Sequence, residues 1–171
     1  NFHTNCDVGG KGKNSISMEK LIKENDIVLL TTGATKPRDL PIKNRDGEGV
    51  YFAMEFLGQN TKSLLDSDLK DDGFINAKNK DVIVIGGGDT GNDCLGTSLR
   101  HGCKSLTNFE ILPELPKERL DSNPWPIFPR VYKVDYGHEE SREVFGKDPR
   151  EYSVSGKEFL RDKNGKLTGI K

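Results

Sequence analysis

The sequence predicts an α/β fold, a Rossmann-like three-layer domain, and three observations support this class. The run Val82–Ile85 contains only β-branched residues and has the composition of a strand buried on both faces of a sheet. A glycine-rich turn, residues 86–91, follows directly and leads into a predicted helix over 92–101 that Gly102 closes. Residues 106–112 supply the next predicted strand and complete a βαβ unit with parallel strands.

The elements before this unit are predicted in chain order. Residues 1–6 have the character of a strand, and Ser17–Ile22 has helical apolar spacing with Ser17 as its cap. The continuous apolar run at 27–30 is predicted to be a buried strand. Residues 36–49 carry prolines, glycines and charges without a hydrophobic period and are expected to connect two units, whereas 52–65 has helical spacing.

The elements after the unit are fewer. Residues 113–129 hold five of the chain's eight prolines and cannot form long regular structure. Residues 159–170, with Asn164-Gly165 at their centre, predict a β-hairpin. The chain begins within a predicted strand, and residues 167–171 look like the start of another. We therefore expect a segment of a longer polypeptide, with a domain that is incomplete at its C-terminus.

The composition excludes several classes of partner. The chain has 26 Lys and Arg against 27 Asp and Glu, a formal net charge of -1, so we expect no nucleic-acid or anionic-membrane partner. No apolar run approaches the roughly 18 residues of a membrane span. Cys6, Cys94 and Cys103 form no CxxC pair and no metal-ligand cluster, so we predict reduced thiols in an intracellular protein without a metal site.

The glycines at 86, 87, 88 and 91 carry the predicted chemistry. In a dinucleotide site, the first glycine of the GxGxxG pattern permits a sharp turn out of the strand. The second lets the backbone approach a diphosphate, and the third lets helix and strand pack closely. The helix N-terminus then offers unpaired N–H groups and a partial positive charge to the phosphates. A P-loop is excluded because no Gly-Lys-Ser/Thr follows. The alternative is a glycine-rich turn that binds nothing.

Glu110 lies 19 residues after Gly91, about where an acid binds the ribose of NAD. A carboxylate there accepts both ribose hydroxyls and repels a 2′-phosphate, which favours NADH over NADPH. Two alternatives remain open: Glu110 is a solvated acid at the strand end, or Lys117 and Arg119 bind a 2′-phosphate. The polar residues of the turn and of the first helical turn are Asp89, Thr90 and Asp93, and they cap the helix or reach the nicotinamide side.

Several stretches together resemble one protein family. Residues 86–94, Gly-Gly-Gly-Asp-Thr-Gly-Asn-Asp-Cys, are similar to the second dinucleotide fingerprint of the glutamate synthase small subunit and its relatives. The resemblance extends from about Ile16 to the C-terminus and is strongest to NADH-dependent enzymes in which large and small parts are fused. The other stretches that carry it are residues 32–41, 51–57, 123–126, 134–140 and 145–150. Many relatives have Ala at the position of Gly91, which implies that Ala is harmless there.

The resemblance implies a two-dinucleotide-binding flavoprotein, in which an NAD(P)H domain interrupts an FAD domain. Residues 1–37 would be the end of the first FAD-domain segment, a remnant in which Thr32, Gly33 and Ala34 approach the flavin. Residues 38–77 would be a connecting segment with a helix, and 78–171 the NAD(P)H-binding domain. Asp89, Thr90 and Asp93 match positions that contact the nicotinamide nucleotide in related enzymes.

The resemblance also implies a function. The chain would bind NADH, with NADPH possible, and pass hydride to FAD. Electrons would then cross iron–sulfur clusters to FMN elsewhere in the enzyme, where glutamine and 2-oxoglutarate give glutamate. No side chain of this segment is expected to be catalytic, because the chemistry belongs to the cofactors. The partners would be the dinucleotide and the rest of the polypeptide or a large subunit, in the cytoplasm or a plastid.

Two other functions remain open: a module that senses NAD(H) without turnover, and the corresponding part of a related flavoprotein such as dihydropyrimidine dehydrogenase. Three further side chains have simple structural interpretations. His101 is expected to interact with the dipole at a helix C-terminus, and His138 to lie at a helix start. Trp125 is expected to anchor a long loop, with docking of a partner as its alternative.

Overall fold

The computed structural model describes residues 2–171. The chain divides into two compact units, residues 1–38 and 39–171, and each is described by itself. Within residues 2–171, no helix combines the length and the apolar composition that crossing a membrane requires.

The first unit contains three short elements. Strands β1 (Asp7–Val8) and β2 (Ser15–Ile16) pair in parallel. Helix α1 (Met18–Glu24) confirms the predicted helix, and the Lys20 N–H donates to Ser17 Oγ at 3.2 Å, so Ser17 is its cap as predicted.

The two strands predicted in this unit are absent from the part of the chain that the structure describes. Residues 27–30 run without a strand partner, and Ile27 and Leu29 are 86% and 81% exposed. Thr4 and Asn5 form a turn instead of a strand, and residue 1 lies outside the described residues. A strand requires a neighbour for its N–H and C=O groups, and the paired strands described in this unit are two residues long. An apolar run alone therefore did not produce a sheet.

The second unit contains the predicted βαβ unit. Strand β3 (Asp81–Ile85) and strand β4 (Ser105–Phe109) pair in parallel, with Val84 opposite Asn108, and a third strand pairs in parallel with β4. The last two strands of the chain, Phe159–Arg161 and Leu167–Ile170, form the predicted hairpin and pair antiparallel. The remaining elements of the unit are α2 (Ala53–Ser67), α3 (Asp89–Arg100), α4 (Tyr136–Phe145), β5 (Arg150–Glu151), β6 (Phe159–Arg161) and β7 (Leu167–Ile170).

The core covers one face of the three-stranded sheet, so the expectation of a three-layer domain with strands buried on both faces is wrong for the described residues. Val82 and Val84 point into the core, whereas Ile83 and Ile85 on the opposite face are 42% and 47% exposed. Side chains of β3 alternate between the faces, and the helices pack on one of them. The core residues and their neighbours are Ala77, Leu95, Cys103 and Leu106 with Phe56, Val82, Val84, Leu99 and Phe145.

His101 joins α2 to this core as an uncharged side chain. Its Nδ1 accepts from the Ala77 N–H at 3.3 Å, so its Nε2 carries the proton and donates to Asn60 Oδ1 at 2.8 Å. Burial lowers the pKa of His101. The predicted dipole contact, which needs a charged ring, is therefore wrong. His101 is instead a partly buried, neutral link between α2 and the loop before β3.

Candidate functional site

The glycine turn leaves the carboxyl end of β3 through backbone conformations that glycine favours. Gly86 has φ +101° and Gly88 has φ +91°, and a side chain at either position would be strained. A Cβ built at these two positions meets nothing within 4 Å, so this side of the turn is open. The turn is thus an open stretch of bare backbone, as the GxGxxG pattern predicts.

The N-terminus of α3 is uncapped and exposed. Gly88 is the N-cap residue and offers no side-chain acceptor, and the first backbone bond of the helix runs from the Asn92 N–H to the Gly88 carbonyl at 3.0 Å. Within residues 2–171, the N–H groups of Asp89, Thr90 and Gly91 therefore have no hydrogen-bond partner. Three free amides at the positive end of a helix can bind an anionic group such as a diphosphate.

Gly91 permits a close approach of α3 to the end of β3. A Cβ at this position would lie 2.6 Å from the Gly86 carbonyl oxygen, a distance that real Cβ atoms essentially never show. The expectation that Ala is harmless here therefore needs correction, because an alanine methyl group at this position would require the turn or the helix to shift. The close packing that the third glycine predicts is confirmed.

Asn108 is a site residue that the sequence did not reveal. Its side chain on β4 is 1% exposed, and its Nδ2 donates to the carbonyls of Val84 and Gly86 at 3.1 and 3.0 Å. These bonds hold the first carbonyl of the glycine turn, the same oxygen that lies against Gly91. The only signal in the sequence is an Asn within an otherwise strand-like run.

Glu110 lies directly after β4 with its carboxylate against the turn. A Cβ at Gly87 would be 1.7 Å from Glu110 Oε1, so the carboxylate occupies the space that any other residue at 87 would fill. Burial raises the pKa of the Glu110 carboxyl, and the charge of Arg150 and the Gly87 N–H offset part of that rise. The structure thus places Glu110 beside the glycine turn, and its predicted contact with a ribose stays a prediction. Lys117 and Arg119 are exposed on the loop that follows.

The remaining polar residues of the pattern separate into two groups. Asp89 and Thr90 are exposed at the helix tip. Asp93 lies one turn further on, and its Oδ1 accepts a 2.6 Å hydrogen bond from the hydroxyl of Tyr136 at the start of α4. Burial, together with this bond, raises the pKa of Tyr136 to about 12, so the phenol remains a proton donor at neutral pH.

Helix α4 begins with a capping box that includes His138. The Asp135 side chain accepts from the first turn, and the Asp135 N–H donates to His138 Nδ1 at 3.1 Å. Burial lowers the pKa of His138, with a further contribution from Arg150, and the ring is therefore neutral when it accepts. The prediction that His138 lies at a helix start is confirmed.

The proline-rich loop between β4 and α4 is held from within by Asn123. This side chain is 7% exposed and bonds to the Phe128 carbonyl at 3.1 Å and the Arg130 N–H at 2.8 Å. Trp125 is 83% exposed, so the expectation that it anchors the loop is wrong. The buried amide of Asn123 supplies the anchor instead.

Thr32, Gly33 and Ala34 belong to the first unit, not to the unit that contains the glycine turn. All three are exposed, and Gly33 has φ +66°. The strand predicted to precede them is not formed. Their predicted position beside a flavin stays a prediction.

The fold and this site together define the class: a Rossmann-like α/β protein, in which two parallel strands are joined by a glycine turn and an uncapped helix. The chain matches no protein-family model. It is 59% identical over 167 residues, 98% of its length, to glutamate synthase [NADH] of Schizosaccharomyces pombe. It is 51% identical over 172 residues, 99% of its length, to glutamate synthase [NADH] of Saccharomyces cerevisiae. It is 49% identical over 166 residues, 97% of its length, to the glutamate synthase [NADPH] small chain of Bacillus subtilis.

The chain therefore belongs to the glutamate synthase family, as the homologue of one segment of its members. It spans 8% of the length of the two NADH-named relatives and 33% of the Bacillus subtilis small chain. The family resemblance predicted from residues 86–94 and the other stretches is confirmed. Because the relatives are named for NADH and for NADPH, their names do not decide the coenzyme of this chain.

Proposed function

We propose that this chain is the nicotinamide-dinucleotide-binding segment of a glutamate synthase, which holds NADH so that its hydride passes to FAD. The observation that carries the proposal is the helix tip: three N–H groups without a partner among the described residues, directly after a turn of bare glycine backbone, with Asp89 and Thr90 exposed. The names of the relatives support the same reaction, since they are glutamate synthases that use NADH or NADPH.

The residues at the turn fit a diphosphate in both shape and charge. Gly86 and Gly88 leave open space where phosphate oxygens can approach the backbone, and the amides of Asp89, Thr90 and Gly91 can donate to them. The carboxylates of Asp89 and Asp93 repel a phosphate, so they fit positions toward the nicotinamide nucleoside. This segment binds and orients, and the bound coenzyme supplies the hydride.

Glu110 makes NADH the preferred coenzyme in this proposal. Its carboxylate lies against Gly87, at the edge of the turn where the adenosine ribose of a dinucleotide would be expected. A carboxylate accepts hydrogen bonds from the two ribose hydroxyls, whereas the 2′-phosphate of NADPH would bring two anions together. Lys117 and Arg119 on the next loop are the residues that could offset this repulsion.

The wider function follows from the family and belongs to the same proposal. FAD accepts the hydride, with Thr32, Gly33 and Ala34 near the flavin. Iron–sulfur clusters and FMN elsewhere in the enzyme carry the electrons to the reductive formation of glutamate from glutamine and 2-oxoglutarate. The partner of this segment is the rest of the polypeptide or a large subunit, in the cytoplasm or a plastid.

The test uses the complete gene product loaded with its flavins, under anaerobic conditions. We expect NADH to bleach the flavin absorbance and glutamate to form when glutamine and 2-oxoglutarate are added. A product that binds NADH and never bleaches its flavin would contradict the proposal and favour the NAD(H)-sensing alternative. Reduction of a pyrimidine instead of 2-oxoglutarate would favour the related flavoprotein.

A pair of matched glycine variants tests whether NADH binding depends on the glycine turn. Gly88 has φ +91° and Gly165 in the hairpin has φ +80°, and a Cβ at either meets nothing within 4 Å. Gly88→Ala places a methyl group in the open space of the turn and strains its backbone, so NADH should bind about tenfold or more weakly. Gly165→Ala introduces comparable strain in a hairpin that has no part in the proposed site. Equal NADH affinity in the two variants would remove the turn from the site.

A further inference from the structure

The N-terminal half of α3 and the first turn of α4 are joined by two hydrogen bonds and one close contact. The Tyr136 hydroxyl donates to Asp93 Oδ1 at 2.6 Å. The Gly137 N–H donates to Asn92 Oδ1 at 2.9 Å in a buried bond. The fit at Gly137 is tight, because a Cβ there would lie 2.6 Å from Asn92 Oδ1. The start of α4 is thus fixed to the helix that the proposed dinucleotide site depends on.

Asp93 is a negative charge near the end of α3 where an anion is expected to bind. It follows Asp89 by four residues, so both carboxylates lie on one face of the helix, about 6 Å apart along its axis. A side chain of this length that turned toward the tip would repel a diphosphate held there. The bond from Tyr136 holds the carboxylate against α4 instead.

The Tyr136 hydroxyl is not needed to dock the two helices. The buried bond between Asn92 and Gly137 already fixes them. A second link is the Arg100–Glu140 ion pair at 2.7 Å, and the Tyr136 ring packs closely on Gly96, where a Cβ would lie 2.6 Å from ring carbon Cε2. A phenylalanine ring would keep that packing. The hydroxyl therefore has the Asp93 carboxylate as its specific partner.

We propose that Tyr136 is a positioning residue of the dinucleotide site, which holds the Asp93 carboxylate away from the diphosphate. The inference rests on the proposed function. It predicts that loss of the hydroxyl weakens binding of NADH and leaves the flavin reduction rate at saturating NADH unchanged. The effect depends on the charge of Asp93, so it should disappear when residue 93 is neutral.

The experiment compares variants of the complete, flavin-loaded gene product by stopped-flow reduction with NADH. Tyr136→Phe should raise the NADH concentration for half-maximal rate by about three- to tenfold, as expected for one hydrogen bond to a charged group. Glu140→Gln is the matched control, because it breaks another exposed contact between α3 and α4 and spares the Tyr136–Asp93 bond. We expect wild-type NADH dependence for this control.

A double-mutant cycle separates positioning from a merely structural role. In an Asp93→Asn background, Tyr136→Phe should change the NADH dependence by less than about twofold, because no charge remains to be held. Additive effects of the two substitutions would overturn the inference. A Tyr136→Phe protein with the same NADH dependence as Glu140→Gln would also overturn the inference.

The outcomes distinguish this inference from the function on which it rests. If NADH does not reduce the flavin of the wild-type protein, the proposed function is contradicted. If NADH reduces the flavin normally and Tyr136→Phe has the NADH dependence of wild type, only the role of Tyr136 is contradicted. Should Tyr136→Phe fail to fold, Asp93→Glu and Asp93→Gln provide the second test. Both side chains are one methylene longer than aspartate, and only glutamate keeps a charge that can reach toward the diphosphate. Asp93→Glu should need at least about threefold more NADH for half-maximal rate than Asp93→Gln, and equal values for the two variants would overturn the inference.

Discussion

Replacement of Asn108 by Leu tests whether a buried amide maintains the glycine turn. The two side chains have similar volumes, so the change removes two hydrogen bonds, to the Val84 and Gly86 carbonyls at 3.1 and 3.0 Å, and leaves no large cavity. Each such bond contributes about 1 kcal/mol, so the variant should lose about 2 kcal/mol of unfolding free energy. For a chain of this size, that loss corresponds to a fall in Tm of about 4–8 °C.

The same variant should also bind NADH several-fold more weakly, because the Gly86 carbonyl is no longer held beside Gly91. Thermal unfolding and NADH titration measure the two effects. Asn76→Leu is the matched control, since Asn76 is exposed and its side chain accepts a bond from the Lys78 N–H. We expect that control to stay within about 0.5 kcal/mol of wild type. An Asn108→Leu protein with the Tm and NADH affinity of wild type would refute the reasoning.

Glu110→Ala should reduce the preference for NADH over NADPH, and an unchanged ratio of the two affinities in a titration would remove Glu110 from the site. Gly91→Val should destabilise the protein by about 1–3 kcal/mol, since even a Cβ lies 2.6 Å from the Gly86 carbonyl, and denaturant unfolding with a wild-type midpoint would contradict this. Burial lowers the pKa of His101, so the unfolded state binds the proton more tightly than the folded state. The contribution of this ring to stability is therefore present above about pH 6.5 and is lost as the pH falls through the pKa of the folded state. Tm measured from pH 7.5 to 5 should fall less steeply in His101→Gln, and equal slopes would contradict the prediction.

The local elements of the second unit could be predicted because their signals lie within a few residues. The β-branched run predicted β3, and the glycine pattern predicted the turn and the start of α3. Asn164-Gly165 predicted the hairpin, which β6 and β7 form. Each of these elements needs only a short stretch of chain to specify it. The backbone of the candidate site was therefore predictable from the sequence.

The features that the sequence did not reveal depend on contacts between distant residues. Tyr136 and Asp93 are 43 residues apart, and Asn108 reaches a carbonyl 22 residues away. No periodicity records such pairs, so neither Tyr136 nor Asn108 could be assigned to the site. The run at 27–30 shows the converse, since its apolar composition predicted a strand that has no neighbour to pair with in its unit.

The position of Trp125 gives the protein an intrinsic optical probe. It is the chain's one tryptophan, and its indole projects from a loop that Asn123 holds in place. Its fluorescence emission should be red-shifted and readily quenched by iodide, because water surrounds most of the ring. Any molecule that covers this loop would shift the emission to the blue and protect it from the quencher. Association at this surface can thus be followed in the unlabelled chain without an introduced fluorophore.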